Sequence, residues 1–212
     1  GAVSVHVTPI AVSGPGIAAA PGDFRATTAL GQDARLETFA MADYRLADAD
    51  GNPLAIKNGS TATIEMLLPA DTTLKAGDTV PAWHFDETAG LWVEEGAGTV
   101  QVYSQDAARL AFVAEVNHFS TWNCDKTMDT TCVSGTVTTC DGKPVGGADL
   151  SGQGVDYDGT SSTYAGSDGT FCMPVKKGAT VTVSAAAGYP PNRLVASASV
   201  TAPALGVTNA VY

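Results

Sequence analysis

Short alternations of apolar and polar residues, each broken by Gly, Pro, Asn or Asp, run through nearly the whole chain and leave few folds open to it. Period-two alternation puts successive side chains on opposite faces of a strand. VSVHVTPIAV (3–12), STATIEMLLP (60–69), VPAWHFD (80–86) and LWVEEGAG after the turn ETAG all read this way. So does VQVYSQDAARLAFVAEVNHFSTWN, which follows. Helical periodicity is nearly absent. DARLETFAMADYRLAD (33–48) is the best helix candidate, but its apolar residues also fit alternation, and its Thr, Phe and Tyr favour strands. It ends in the turn DADGNP and leads into LAIKNG, which reads as a hairpin. Roughly seven or eight strands at this spacing indicate a β-sandwich in the first half.

The second half repeats the style with smaller residues. CVSGTVTTC reads as a strand, DGKPVGGADLSGQG as a turn and a strand, and STYAGSDGTFCMPV as a hairpin around Ser167-Asp168-Gly169. ATVTVSAAAGYPP is a strand ending in a Pro-rich bend, and LVASASVTAP with LGVTNAVY closes the domain. The expected architecture is all-β with two sandwich domains: 1–123, a polar linker CDKTMDTT at 124–131, and a smaller sandwich at 132–212. All three tryptophans (Trp83, Trp92, Trp122) fall in the first domain. Trp83 and Phe85 share a strand face there and are placed to pack across from Trp92.

The chain carries 22 Asp and Glu against 11 Lys and Arg, a net charge of −11. That balance argues against nucleic acid and against electrostatic docking to anionic lipid, both of which need a basic face. The acidity is concentrated in the first half, with 15 acids and 6 bases in 1–123 against 7 and 5 in 124–212. It is read as a solubility device. No apolar run approaches the length of a membrane span, so no membrane insertion is expected of this segment. The leading Gly is compatible with a removed targeting segment.

Four cysteines stand at 124, 132, 140 and 172, with no CxxC pair and only His118 nearby, so a zinc site is not expected. An even count among turn-rich strands points to two disulfides and an oxidising, extracytoplasmic compartment. Of the three possible pairings, the expected one is Cys124–Cys132 with Cys140–Cys172.

VSGTVTTCDGKPVGGADL, followed by YDGTSSTYAGSDGTFCMPVKKGATVTVSAAAGY, resembles the carboxypeptidase regulatory-like domain over most of 132–201. That family is a transthyretin-like sandwich found in exported and surface proteins. The first half (PGDFRATTALG, LADADGNPL, VPAWHFDETAGLWVEEG, VNHFSTWNCD) is similar to the extracellular segment of cartilage intermediate layer protein and the FAM171 group. It is loosely similar to ZU5 domains through its HFS tripeptide. The resemblance implies a scaffold or interaction module and names no substrate. The residues agree with the turns it requires: Gly142 in the DG-x-P-V turn and Gly169 after Asp168 are placed to take positive φ.

Four constellations could carry chemistry. His118-Phe119-Ser120 matches a tripeptide that, in ZU5 and a nucleoporin domain, cuts itself between Phe and Ser. The Ser hydroxyl attacks the preceding carbonyl while the His takes its proton, which requires both on one strand face and a strained peptide. Against it stands a structural role, with Phe119 and Trp122 in the core. Asp48, Asp50 and Asn52 have the spacing of half a calcium loop, repeated by Asp156 and Asp158. Pro53 at the sixth position and Gly59 at the twelfth exclude an EF-hand, and acidic turn residues account for both. Trp83, Trp92, Tyr157 or Tyr164 could offer a glycan a stacking platform, with burial in the core as the plainer role for both tryptophans. Asp86, Glu87, Glu94 and Glu95 crowd one hairpin and could mimic paired glycosidase carboxylates, against a solvated acidic hairpin.

The three histidines (His6, His84, His118) are scattered, and no Gly-x-Ser-x-Gly, HExxH or phosphate loop occurs. The sequence therefore reads as a non-enzymatic secreted or cell-surface module with no cofactor, acting in adhesion, spacing or assembly on an unknown protein or glycan. Self-processing and carbohydrate binding are the alternatives.

Overall fold

The computed structural model describes residues 2–188, 194–202 and 209–211. The chain divides into two compact units, Gly1–Thr127 and Met128–Tyr212. Unit 1 holds β1 (Val3–Ile10), a short 3-10 helix (Gly14–Ala19), β2 (Arg25–Thr27), β3 (Asp33–Asp48), β4 (Ala62–Leu67), β5 (Thr79–Asp86), β6 (Leu91–Tyr103), β7 (Asp106–Val116) and β8 (Thr121–Thr127). Unit 2 holds β9 (Thr130–Thr136), β10 (Asp149–Gly154), β11 (Thr160–Tyr164), β12 (Thr170–Lys176), β13 (Thr180–Ala187), β14 (Leu194–Thr201) and β15 (Asn209–Val211). The molecule is all-β, and the ambiguous segment 33–48 is one long strand.

The eight strands of unit 1 form one sheet in the order β1-β3-β8-β5-β6-β7-β4. The short β2 lies antiparallel to β3 and parallel to β6, so it closes a ring with β3, β8, β5 and β6. The central strands bury both faces. On β3, Ala40, Ala42 and Tyr44 join one apolar cluster while Met41 joins another. On β5, Val80 and Ala82 enter the first cluster, while Trp83 and the partly buried Phe85 enter the second. This is period-two alternation with apolar residues at both phases. The first cluster is closed by Ile64, Met66, Phe112 and Trp122, the second by Phe24, Leu36 and Trp92. Trp83, Trp92 and Trp122 are at most 1% exposed. Phe85 pairs with Trp92 across the ladder, with ring centroids 5.3 Å apart and edge-on. Removing a buried aromatic of this size costs about 3–5 kcal/mol.

A buried polar row crosses the second face. Thr38 Oγ1 donates to Asn123 Oδ1 at 2.6 Å, and Asn123 Nδ2 donates to Asp125 Oδ2 at 2.6 Å. Trp83 Nε1 donates to the Asp125 carbonyl at 3.1 Å. All three polar side chains are essentially sealed from solvent. Burial pushes the Asp125 carboxyl well above the ordinary carboxylate range, despite bonds near Thr38, Phe39 and Asn123 that favour its charged form.

Unit 2 is a sandwich of a four-stranded sheet, β11-β10-β13-β14, and a three-stranded sheet, β12-β9-β15. Val133, Phe171, Met173 and Val175 from the smaller sheet meet Leu150, Val181 and Val183 from the larger. The expected Pro-rich bend after β13 falls partly outside the described residues, as does much of LGVTNAVY. Gly142 (φ 81°) and Gly169 (φ 79°) adopt the positive φ that their turns require.

Several expectations are corrected. LAIKNG is not a strand, since the chain after the turn makes only an isolated Ala47–Pro53 bridge. Ser167–Gly169 does not join a hairpin, because β11 pairs with β10 and β12 pairs with β9, so the turn carries the chain from one sheet to the other. The linker expected at 124–131 is mostly strand. β8 runs on through the buried Cys124 and Asp125, and β9 begins at Thr130. Charged and polar letters there hid strand residues whose polar groups pair inside the sheet.

The disulfides also differ from expectation. Cys132 bonds to Cys172, with Cα atoms 5.6 Å apart, because antiparallel β9 and β12 set Cys172 opposite Ser134 and Cys132 opposite Pro174. Neither Cys124–Cys132 nor Cys140–Cys172 forms. Cys124 is a buried free thiol and Cys140 an exposed one.

Candidate functional site

The residues singled out in the sequence are mostly consumed by the fold. Asp48 closes its own turn: Oδ1 accepts from the N–H groups of Asp50 and Asn52 at 2.9 Å each, and Oδ2 accepts from Asn52 Nδ2 at 3.0 Å. Those bonds hold its carboxyl below the usual range. Asp156 Oδ1 accepts from Thr180 N at 2.8 Å, and Asp158 has its own partner. These are the turn roles that short acidic side chains serve. Trp83 and Trp92 are fully buried and Tyr157 is 6% exposed, which withdraws them from any glycan platform. Tyr164 alone of the four is open, at 72%.

The acidic hairpin is divided. Asp86 Oδ1 accepts from the N–H groups of Thr88 and Ala89, and Glu94 Oε2 accepts from Ala29 N at 2.9 Å. Glu87 reaches Arg45 at 3.5 Å.

His118, Phe119 and Ser120 do not lie on a strand, as a shared face would require, but in the bend between β7 and β8. Phe119 packs on Tyr44, ring centroids 5.9 Å apart. Ser120 Oγ donates to the Thr121 carbonyl at 3.4 Å, while His118 turns its Nε2 to Glu95. No non-glycine residue among those described has positive φ, so no left-handed strain is stored at the tripeptide.

What the fold assembles instead is a cluster absent from the sequence reading. His84 on β5 pairs with Val93 on β6 and with Trp122 on β8. Glu95, two residues beyond Val93, shares the face of His84 as a diagonal neighbour. The ladder is irregular here: Pro81 pairs with Ala97 but Trp83 with Glu94, so Glu95 and Gly96 both stand opposite Ala82. Gly96 takes φ 80°, which a β-bulge of this kind asks of glycine. His118 arrives from the bend, held by Trp122 Nε1 donating to its carbonyl at 3.3 Å.

One carboxylate oxygen sits between the two imidazoles. His118 Nε2 lies 3.0 Å from Glu95 Oε2 in hydrogen-bond geometry. His84 Nδ1 lies 3.0 Å from the same oxygen, but out of line for an N–H···O bond, so this buried nitrogen has no hydrogen-bond partner. Asn117 Nδ2 donates to the other oxygen, Oε1, at 2.9 Å. The two imidazole rings meet edge-on at 4.8 Å, and Trp122 packs against both, at 5.6 Å and 5.1 Å. Burial, then the neighbouring His118, holds the His84 pKa below its ordinary value against the pull of Glu95 and Asp86. Burial pushes Glu95 upward, but the bonds from His118 and Asn117 outweigh it and hold the carboxyl below its usual value. At neutral pH the cluster therefore presents an ionised carboxylate beside an uncharged His84. Among the described residues this is the one group of three His, Cys, Asp or Glu side chains whose donor atoms converge, all within 4.8 Å. No pattern in the sequence marks it, because its members come from β5, β6 and a bend.

These features define an all-β module with a small polar cluster set into the rim of an aromatic core. Residues 21–122 match the family model described as FAM171A1/A2/B, N-terminal, a span that contains the whole cluster from His84 to Trp122. No curated protein and no solved structure matches the chain.

Proposed function

We propose that the chain is a non-enzymatic, extracytoplasmic module acting in adhesion, spacing or assembly, with unit 2 a transthyretin-like sandwich of the carboxypeptidase regulatory-like kind. The observation that carries this reading is how the reactive side chains are used. Turn carboxylates bond their own backbone, the tryptophans are interior, and Ser120 and His118 bond different partners. The FAM171-type match over 21–122 and the Cys132–Cys172 bond support an oxidising location outside the cytoplasm. The four-plus-three arrangement of unit 2 supports the sandwich assignment. With three of the four candidate aromatics buried, a protein partner fits better than a glycan.

The test is binding of the intact exported chain, coupled to fluorescent beads, to cell surfaces. Saturable, protease-sensitive binding competed by free chain is the expected result. Binding no greater than that of beads carrying an unrelated acidic β-sandwich refutes the reading, and binding abolished by glycosidase and not by protease moves the partner to glycan.

A further inference from the structure

We propose that His84 Nδ1, His118 Nε2 and a Glu95 carboxylate oxygen bind one divalent first-row transition-metal ion, with zinc the best match. Two imidazole nitrogens and a carboxylate suit zinc, copper or nickel, whereas calcium and magnesium prefer all-oxygen sets. Ligands held about 2.0–2.2 Å from zinc at tetrahedral angles stand about 3.3 Å from one another. The two nitrogens each stand 3.0 Å from Glu95 Oε2, and all three donors lie within 4.8 Å. His118, with its side chain 37% exposed, has the freedom to tilt inward, while His84 at 19% is fixed on its strand.

Three details separate this from an ordinary ion pair. His84 Nδ1 is buried 3.0 Å from Glu95 Oε2 yet makes no hydrogen bond, so a donor nitrogen is left unused inside the cluster. Asn117 bonds Oε1 and leaves Oε2 for the ligand position, the outer-shell orientation that metal sites use. Trp122 packs against both rings and keeps them on one side of Glu95, so only a small tilt of His118 is needed to close the site. Three protein ligands leave the fourth position open to water or to a donor from outside the chain.

The experiment uses tag-free full chain carrying Cys140→Ser, which removes the exposed thiol as a competing ligand. Zinc chloride is titrated calorimetrically into metal-stripped protein, and nickel into the same protein while tryptophan emission is followed. One ion per chain is expected, with zinc raising the melting temperature and nickel quenching emission from Trp122. Glu95→Gln and His118→Gln should each weaken zinc binding at least tenfold. Both residues are partly exposed, so their metal-free melting temperatures should stay close to the parent's. Trp122→Phe should remove the quenched component, and His6→Gln on the exposed β1 should leave binding intact. No binding up to millimolar zinc, binding undiminished in Glu95→Gln and His118→Gln, or equal loss in His6→Gln each overturns the site.

Discussion

Replacing both Cys132 and Cys172 by Ser tests how much of unit 2 rests on one covalent bond. The two residues are 40 positions apart. Closing a loop of that length removes about 13 cal/mol/K of chain entropy from the unfolded state, or about 4 kcal/mol at 25 °C. Little packing is lost alongside it. Cys172 is exposed between the inward Phe171 and Met173, and Cys132 is only half-buried. The bond also ties down β12, an edge strand that carries Pro174 and so lacks one ladder donor. For a unit of about 85 residues, a loss of 4 kcal/mol lowers the melting temperature by roughly 20 °C, taking about 2.1 cal/mol/K of unfolding entropy per residue. Calorimetry resolves the two units, and tryptophan fluorescence assigns one of them, since Trp83, Trp92 and Trp122 all lie in unit 1. The expected outcome is a large fall in the transition without a tryptophan signal and an unmoved transition with one. A fall of less than about 1 kcal/mol in unit 2, or an equal fall in unit 1, refutes the loop argument.

Other outcomes follow from single features. Iodoacetamide should label Cys140 in the native chain and Cys124 only after denaturation, since Cys124 is sealed and burial raises its pKa; native labelling of Cys124 would contradict its placement. Asp125 keeps its proton in the fold above the pH at which an unfolded Asp loses it. Its contribution to stability is therefore complete at acid pH and lost as pH rises from about 4 toward the raised native value, by up to about 1.4 kcal/mol per pH unit. Asp125→Asn, uncharged throughout, should flatten that slope and match or exceed the parent's stability at pH 7 in urea titrations; an unchanged slope excludes Asp125 as its source. Gly98→Ala places a methyl against the Phe112 ring and 2.5 Å from the Val113 carbonyl, so it should cost about 1–3 kcal/mol of unit 1; a neutral result means that β6 moves freely there. Ser120→Ala should leave the intact mass and gel pattern unlike the parent only by the substitution itself. Parent fragments of 1–119 and 120–212 that vanish in the variant would restore the self-processing reading.

Local features were legible where local physics decides them. Alternation in 33–48 overrode its helical look because Thr38, Phe39 and Tyr44 are better strand residues, and Gly142 and Gly169 revealed turns that only positive φ can make. What stayed hidden depends on which strands meet. The pairing of β9 with β12 selects Cys132 for Cys172, and nothing near either cysteine announces it. The same exchange of sheets turned an expected hairpin at Ser167–Gly169 into a crossing. Tyr157, one of the candidate stacking aromatics, is interior, with Lys176 above its ring at 5.7 Å. The histidines looked scattered because His84 and His118 meet only through the pairing of β5 with β8 and the bend before β8, which leave no trace in spacing.

The buried polar row of unit 1 has a consequence for strand registration. In a sheet wetted on one face, a one-residue slip is forbidden because it turns every apolar side chain outward. The central strands of unit 1 are apolar on both faces, so a slipped β8 would merely exchange one greasy surface for another. Thr38, Asn123 and Asp125 remove that degeneracy. A slip would carry Asn123 and Asp125 into the cluster of Tyr44, Ile64 and Phe112 without partners, at about 1–3 kcal/mol for each stranded group. Replacing all three by apolar residues of like size should leave a chain that still collapses but whose β8 amides show more than one exchange population, the mark of a strand that has lost its key.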